Sequence, residues 1–547
     1  MKSSVEPDPD LSLLAPLAVC LSFASFLYSF RHGDLLLYGD AVAHINIARR
    51  VVDSLTPGLL QLGTVWLPLP HLLMLPWIVS RAMWQTGLGG SIPSLLAYVM
   101  GVIGIFRLLR AFVPSAAPGN GWGRRFAVWF GTAIFALNPN LLYLQSTAMT
   151  EPLYLALYIW AMVFFSSAIA SCQPGEAPGR GSPLVRAGLC LAGASWTRYD
   201  GWFLAAVMVV IVLALAWLGN FAPLKGGAKQ LLLVALAAPL LWVVYNAAVY
   251  HNAWEFANGP YSAKAIEHKT HLAGMPLHPG TGDPVVAFQY FFKSAELNLA
   301  NTPLEWFWVC GLLTGSAVIL LSERKLWPLL LLWTPGAFYT LSIAYGAVPL
   351  FLPVWWPFSY YNVRYGIEML PAFAVFVALA AYELIGFLAR QKLRVLVAAV
   401  SVVVVGVSYA QVFVKGPISF EEAVANGRSR VALETQLASL VENLPETATL
   451  LMYLGDHVGA LERAGIPLRR VINEGNHRPW KRPVDPEGLW ERALAHPAGY
   501  VDYVIEVGDD PVAQKVEKSE LVTLEIVHVS GQPPALISRT TRGNQVR

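Results

Sequence analysis

The run "LSLLAPLAVCLSFASFLYSF", Leu11–Phe30, is apolar throughout and carries no charge. A helix rises ~1.5 Å per residue, so a run of this length matches a bilayer core of ~30 Å. Comparable runs recur at roughly 92–110, 126–146, 150–171, 185–199, 201–219, 230–250, 303–322, 326–346, 365–389 and 395–413. The 547 residues are 55% hydrophobic and 13% charged, about half the charged fraction of a soluble domain. Recurrent spans and low charge together predict a polytopic α-helical membrane protein of about eleven transmembrane helices. A net charge of +3 excludes a nucleic-acid-binding chain read on charge alone. Cys20, Cys172, Cys190 and Cys310 lie in or beside apolar runs without metal-ligand spacing and read as small hydrophobes.

"WLPLPHLLMLPWIVSRAMW", Trp66–Trp84, is also apolar, but prolines crowd its first half and Arg81 interrupts it. It reads as an interfacial or re-entrant segment. With it outside the count and residues 1–10 as a cytoplasmic tail, the basic clusters share one side. These are Arg107/Arg110/Arg124/Arg125, Arg180/Arg186, Lys225/Lys229, Arg324/Lys325 and Arg390/Lys392/Arg394. The positive-inside rule makes that side cytoplasmic. The membrane domain is then 11–413, with outer segments 31–91, 251–302 and 347–364. No cleavable leader is expected, since the first run lacks a basic n-region. From 415 to 547 the pattern changes: "ATLLMYL", "VDYVIEV" and "LVTLEIVHV" alternate with helix-like "SRVALETQLASLVENL" and "GLWERALAH". This predicts an extracytoplasmic soluble α/β domain with a largely parallel sheet. It has no GxGxxG after a strand, so nucleotide binding is unsupported.

Ionisable residues at membrane depth are costly and mark a site or pathway. Here they gather at the outer boundary. Asp40 and His44 follow the first span in "YGDAVAHINIARR". Glu151 opens a span in "TAMTEPLYLALY". Arg198 and Asp200 occupy the turn "SWTRYDGW", and Arg364 and Glu368 open a late span in "YYNVRYGIEMLP". Each also has a structural reading. Asp40 suits an N-cap of the amphipathic helix that follows. His44, one turn on, suits an interfacial imidazole, a partner orienting Asp40 or a metal ligand. Glu151 suits a helix N-terminus. Arg198–Asp200 and Arg364–Glu368 suit local ion pairs, the second at i,i+4. His71 follows Pro70, and His251, His268, His271 and His278 share an outer loop without a standard zinc pattern. The aromatic cluster "VWWPFSYYN" suits an interfacial belt.

Taken in order, these motifs resemble the polytopic GT-C glycosyltransferases, in particular the protein-mannosyltransferase and aminoarabinose-transferase branch. The resemblance runs from Leu11 to about Phe413 and rests most on Leu35–Pro76 and Ala148–Trp202. It implies a sugar taken from a polyprenyl-phosphate donor and passed to a protein, lipid or glycan acceptor at the outer face. It implies Asp40 as the base and an integral protein of a bacterial inner membrane. Where many relatives carry Asp-Glu this chain has Asp40–Ala41. The Lys-Pro-Pro-like element appears as "WLPLPH" without the lysine, and the DxD of the oligosaccharyltransferase branch is absent.

Transfer from a lipid phosphosugar requires a carboxylate for the acceptor proton and cations for the leaving phosphate. Arg198 and Arg364 are the expected phosphate ligands, by the fork geometry of guanidinium. His44, Glu151, Asp200 and Glu368 are the supporting polar groups. No metal is assigned, although a divalent ion is compatible with this chemistry. The rival reading is a transporter or lipid flippase. Transporters place ionisable groups near the midplane, often in two related halves, and neither feature is visible here.

Overall fold

The computed structural model describes residues 8–113, 121–170, 183–218, 224–272, 274, 276–301, 303–322, 326–476 and 488–541. Cys172, Arg180, Arg324 and Lys325 lie outside the described residues, as does the side chain of His271. α1 (Pro9–His32) starts on an Asp8 cap whose carboxylate accepts the Asp10 amide at 3.2 Å. It ends at Gly33, left-handed with φ 77°. The chain then enters α2 (Gly39–Val52), followed by the short α3 (Leu69–Ile78) and α4 (Arg81–Gln85). At ~1.5 Å per residue, neither short helix crosses a bilayer.

The membrane body continues with α5 (Leu88–Phe112), α6 (Gly121–Ala136), α7 (Pro139–Leu144), α8 (Glu151–Ala170), α9 (Pro183–Ser195), α10 (Asp200–Trp217) and α11 (Leu224–Tyr250). The segment after it forms α12 (Glu255–Asn258), α13 (Ala263–Leu272) and α14 (Pro284–Leu297). Then come α15 (Glu305–Leu321), α16 (Thr334–Tyr345), α17 (Leu370–Phe387), α18 (Gln391–Lys415) and α19 (Ile418–Val441).

Among the described residues, seven helical stretches are long and apolar enough to cross a membrane: α1, α5, α8, α10, α11, Val363–Phe387 and Gln391–Val441. The chain is thus an integral multi-pass membrane protein. The other four expected runs are shorter or broken. The 126–146 run stops where Asn138 caps α7, accepting the Asn140 and Leu141 amides at 3.0 Å. The 326–346 run begins as a 3-10 turn, Trp327–Trp333, before α16. α9 and α15 are 13 and 17 residues long. α17 is the most enclosed span, wedged between α6 and α15, with Phe373 and Phe376 fully buried.

The C-terminal part holds a five-stranded sheet of order β2-β1-β3-β5-β4, from β1 (Leu450–Met452), β2 (Val471–Ile472), β3 (Tyr503–Val507), β4 (Leu521–Val527) and β5 (Ala535–Thr540). β1 pairs in parallel with β2 and β3, whereas β5 runs antiparallel to β3 and β4. The sheet is mixed where a largely parallel one was expected. Only a few residues join β4 to β5, so they close as a hairpin and no crossover helix forms.

Candidate active site: two arginines among five carboxylates

The first turns of α2, α8 and α10 and the 3-10 segment Val363–Met369 converge. The tight α9–α10 turn permits this. A Cβ on Gly201 would lie 2.4 Å from the Ala194 carbonyl carbon, so only glycine lets the helices meet there. The turn projects Arg198 into the body, where its side chain is 13% exposed. Arg198 Nε lies 3.1 Å from both Asp200 and Glu368, and Nη1 3.1 Å from Glu151. Nη1 also donates to Thr150 at 3.0 Å, and Nη2 to the Tyr339 hydroxyl at 2.7 Å. Tyr339 in turn lies within donating distance of Asp200 and Glu368, at 3.0 and 2.9 Å.

Arg364 forms the second centre. Its Nε donates to Glu151 at 3.1 Å, its Nη1 to Glu422 at 3.0 Å and its Nη2 to Asp40. Its backbone amide also donates to Glu422, at 3.1 Å. Glu151 Oε1 therefore receives both arginines and couples the centres. The Tyr365 ring touches both, its centroid 4.8 Å from the Arg198 guanidinium carbon and 5.0 Å from that of Arg364. Two guanidiniums thus face five carboxylates. Charge-assisted bonds of this kind offset the desolvation that isolated buried charges would suffer. Glu151 Oε2 and Glu368 Oε2 are buried without a hydrogen-bond partner.

Several local readings are corrected here. Asp40 does not cap α2: Tyr38 holds the cap position without a side-chain bond, and Asp40 is the second helical residue, facing Arg364. Arg364 and Glu368 do not pair with each other. In a 3-10 segment, residues four apart point about 120° away from one another, so one reaches α2 and the other Arg198. Arg198 and Asp200 do pair, as members of a larger network. His44 turns away from Asp40: its Nδ1 meets His71 Nε2 at 2.9 Å, and its ring lies 4.4 Å from that of Trp66. Burial first, then the nearby Arg364 and Arg198 charges, lower its imidazole to about 3. It is therefore neutral at physiological pH.

His278 belongs elsewhere, accepting the Gly280 amide on Nδ1 at 2.9 Å with Nε2 on the Leu350 carbonyl at 2.8 Å. Among the described residues, no group of three or more His, Cys, Asp or Glu is arranged to hold a metal ion. Sequence reasoning missed Glu422, Tyr339 and Tyr38, whose hydroxyl lies 3.2 Å from Glu422. Tyr38 and Tyr365 stand inside motifs already singled out. Glu422, in "SFEEAVANGR", sits past the last expected span and carried no signal.

Exposure separates the carboxylates. The Asp40 side chain is 42% exposed, whereas Glu151, Asp200, Glu368 and Glu422 are buried. Asp40 is therefore the member a molecule from outside meets first.

No family model and no curated protein matches this chain. Solved structures do. The ArnT of Cupriavidus metallidurans bound to undecaprenyl phosphate superposes with a TM-score of 0.56 at 14% identity, over 98% of this chain and 99% of that one. The apo state of the same protein gives 0.55 at 13% identity, over 96% and 97%. The likeness extends end to end, C-terminal part included, and what it shows is a shared fold.

Proposed function

We propose that this protein is a membrane glycosyltransferase, moving a sugar from a polyprenyl-phosphate donor to an acceptor hydroxyl at the outer face with inversion. One observation carries the reading. Arg364 is held by the buried carboxylates of Glu151 and Glu422, and its remaining nitrogen, Nη2, is covered by the accessible Asp40. A phosphate arriving at Nη2 displaces Asp40 far more readily than its buried partners, because water already reaches Asp40. The exchange leaves the guanidinium on an oxyanion and frees a carboxylate beside it. In the transfer, the acceptor oxygen bonds to the anomeric carbon as the bond from that carbon to phosphate oxygen breaks. Asp40 takes the hydroxyl proton, and Arg364 receives the negative charge of the leaving phosphate. The ArnT neighbour holds undecaprenyl phosphate, a carrier of the chemistry proposed here.

Arg198 takes a different part from the phosphate ligand anticipated from sequence. Its guanidinium is engaged on every nitrogen by buried groups, so it orients Glu151 and through Glu151 Arg364. His44 is a neutral wall of the site, and Asp200 and Glu368 anchor Arg198.

The test is transfer by purified protein in lipid, offered a panel of polyprenyl-phosphate sugars and scored for glycosylated acceptor and for free sugar. Turnover of none of them would overturn the reading. Its sidedness is tested with single cysteines in a cysteine-free background. Gly121 and Gly226 should be shielded from impermeant reagents in intact cells, whereas Gly274 and Gly499 should react; labelling at Gly121 would reverse the orientation.

A further inference from the structure

Resting on Asp40 as the base, we propose that α19, the helix leading into the C-terminal domain, positions that base through Gly427 and Arg430. The segment before Asp40 has no regular hydrogen bonding of its own beyond a single 3-10 turn, Asp34–Leu36. Left alone, such a stretch is free to shift by more than the tolerance of a proton transfer. α19 removes that freedom at successive residues. Arg430 Nη2 donates to the carbonyls of both Leu36 and Leu37 at 3.0 Å. Its other end-nitrogen, Nη1, is gripped by both carboxylate oxygens of the buried Glu434, at 2.8 and 2.7 Å, which fixes the plane of the fork. The Tyr38 hydroxyl donates to the Ser419 carbonyl at 2.6 Å. Arg430 Nε lies 3.9 Å from where a Gly39 Cβ would stand, so the fork runs along the residue next to Asp40.

Gly427 makes this approach achievable. A Cβ there would fall 2.2 Å from the Leu37 carbonyl oxygen and 3.1 Å from its carbon, both rigid backbone atoms. Gly427 is helical, a position where glycine costs about 1 kcal/mol relative to alanine. Its presence is explained by what passes over it. Five residues earlier on the same helix, Glu422 grips the backbone and guanidinium of Arg364. α19 therefore sets the base and its partner arginine against each other. Arg430, Gly427 and Glu422 are positioning residues, and the part of the chain beyond the last expected span completes the site.

The experiment compares Gly427→Ala, Arg430→Lys and Arg430→Ala with Arg428→Ala, which removes a charge from an exposed position of the same helix. Transfer and polyprenyl-phosphate binding are measured on full-length protein in lipid. Gly427→Ala and Arg430→Ala should lower kcat by about 10–100-fold, the scale of an ångström-level misplacement. Binding of the carrier should change less than threefold, and Arg428→Ala should match wild type. Arg430→Lys, which keeps charge but serves fewer acceptors, should fall between. Should Gly427→Ala fail to insert, the Arg430 pair carries the test alone. Equal losses in kcat and carrier binding, or an unaltered kcat in Arg430→Ala, would overturn the proposal. An active Asp40→Asn variant would overturn the base assignment itself, so the two failures are distinguishable.

Discussion

Arg198 and Arg364 both approach the Tyr365 ring and share one carboxylate oxygen of Glu151, yet their surroundings differ. Around Arg198 every partner is sealed: Glu151, Asp200 and Glu368 are buried, and Tyr339 closes the last nitrogen. Around Arg364 two partners are sealed and the third, Asp40, stands open. A guanidinium closed on all sides is a structural tie. One with a single replaceable partner is, on the function proposed above, the place where a phosphate can take over from Asp40. The difference arises from where each arginine enters the network, Arg198 from a tight helical turn and Arg364 from a 3-10 segment beside the irregular chain ahead of α2.

The sharpest way to break this comparison is at Asp40. Asp40→Asn keeps the volume and removes the base, and its transfer rate should fall by roughly 10²–10⁴-fold. Carrier binding should hold or tighten, since the competing anion on Arg364 is gone. Weaker carrier binding in this variant would show that Asp40 is no stand-in for phosphate. The cap that Asp40 does not make leaves its ion pair with Arg364 as the main loss, so Asp40→Ala should lower Tm less than Arg198→Ala does.

Next in size is Arg198→Ala. Removing one partner of a buried cluster leaves uncompensated charge, at a cost of about 3–5 kcal/mol. The expected result is poor insertion or a sharply lowered Tm. A well-folded Arg198→Ala protein defective only in carrier binding would instead make Arg198 the phosphate ligand.

Arg364→Lys should fold, because a cation remains among Glu151, Glu422 and Asp40, but it loses the planar fork. Carrier affinity and turnover should both drop, by about 10-fold or more. Arg198→Lys assayed in parallel should alter stability more than affinity. If the two lysine variants behave alike, the two centres are not distinct in function.

The smallest effect concerns a buried carboxylate with no guanidinium bonded to it. Glu462 accepts from Asn46 of α2 at 2.7 Å, and burial raises its carboxyl to about 8. A raised acid pKa means the folded protein keeps a proton the unfolded chain releases. Stability therefore falls as pH rises from about 4.5 to about 8, and is level outside that window. Glu462→Gln should flatten the dependence and raise Tm at pH 7.5. An unchanged pH profile would show that Glu462 is already ionised across this range.

Much of the site was legible because polar residues in apolar surroundings stand out. Asp40, Glu151, Arg198, Asp200, Arg364 and Glu368 all lie in the network expected to assemble at span ends. His44 was legible as buried polarity and illegible as to partner, since His71 approaches from another helix. Glu422, Gly427 and Arg430 were invisible for a plainer reason. They lie on a helix whose charges look like any solvated surface until the fold turns that face onto the chain before Asp40.

The order of residues by itself determined that the chain is a helical multi-pass membrane protein and which charges flank its apolar runs. Those are properties of local runs, set by the cost of placing charge or unpaired backbone in hydrocarbon. Who pairs with whom was decided only by tertiary structure. An ion pair depends on distance across the packed body, and a one-residue change in helical phase or a 3-10 turn in place of an α turn redirects a side chain entirely. Thus Arg364 passes over Glu368, four residues away, and meets Asp40 and Glu422 from distant parts of the chain.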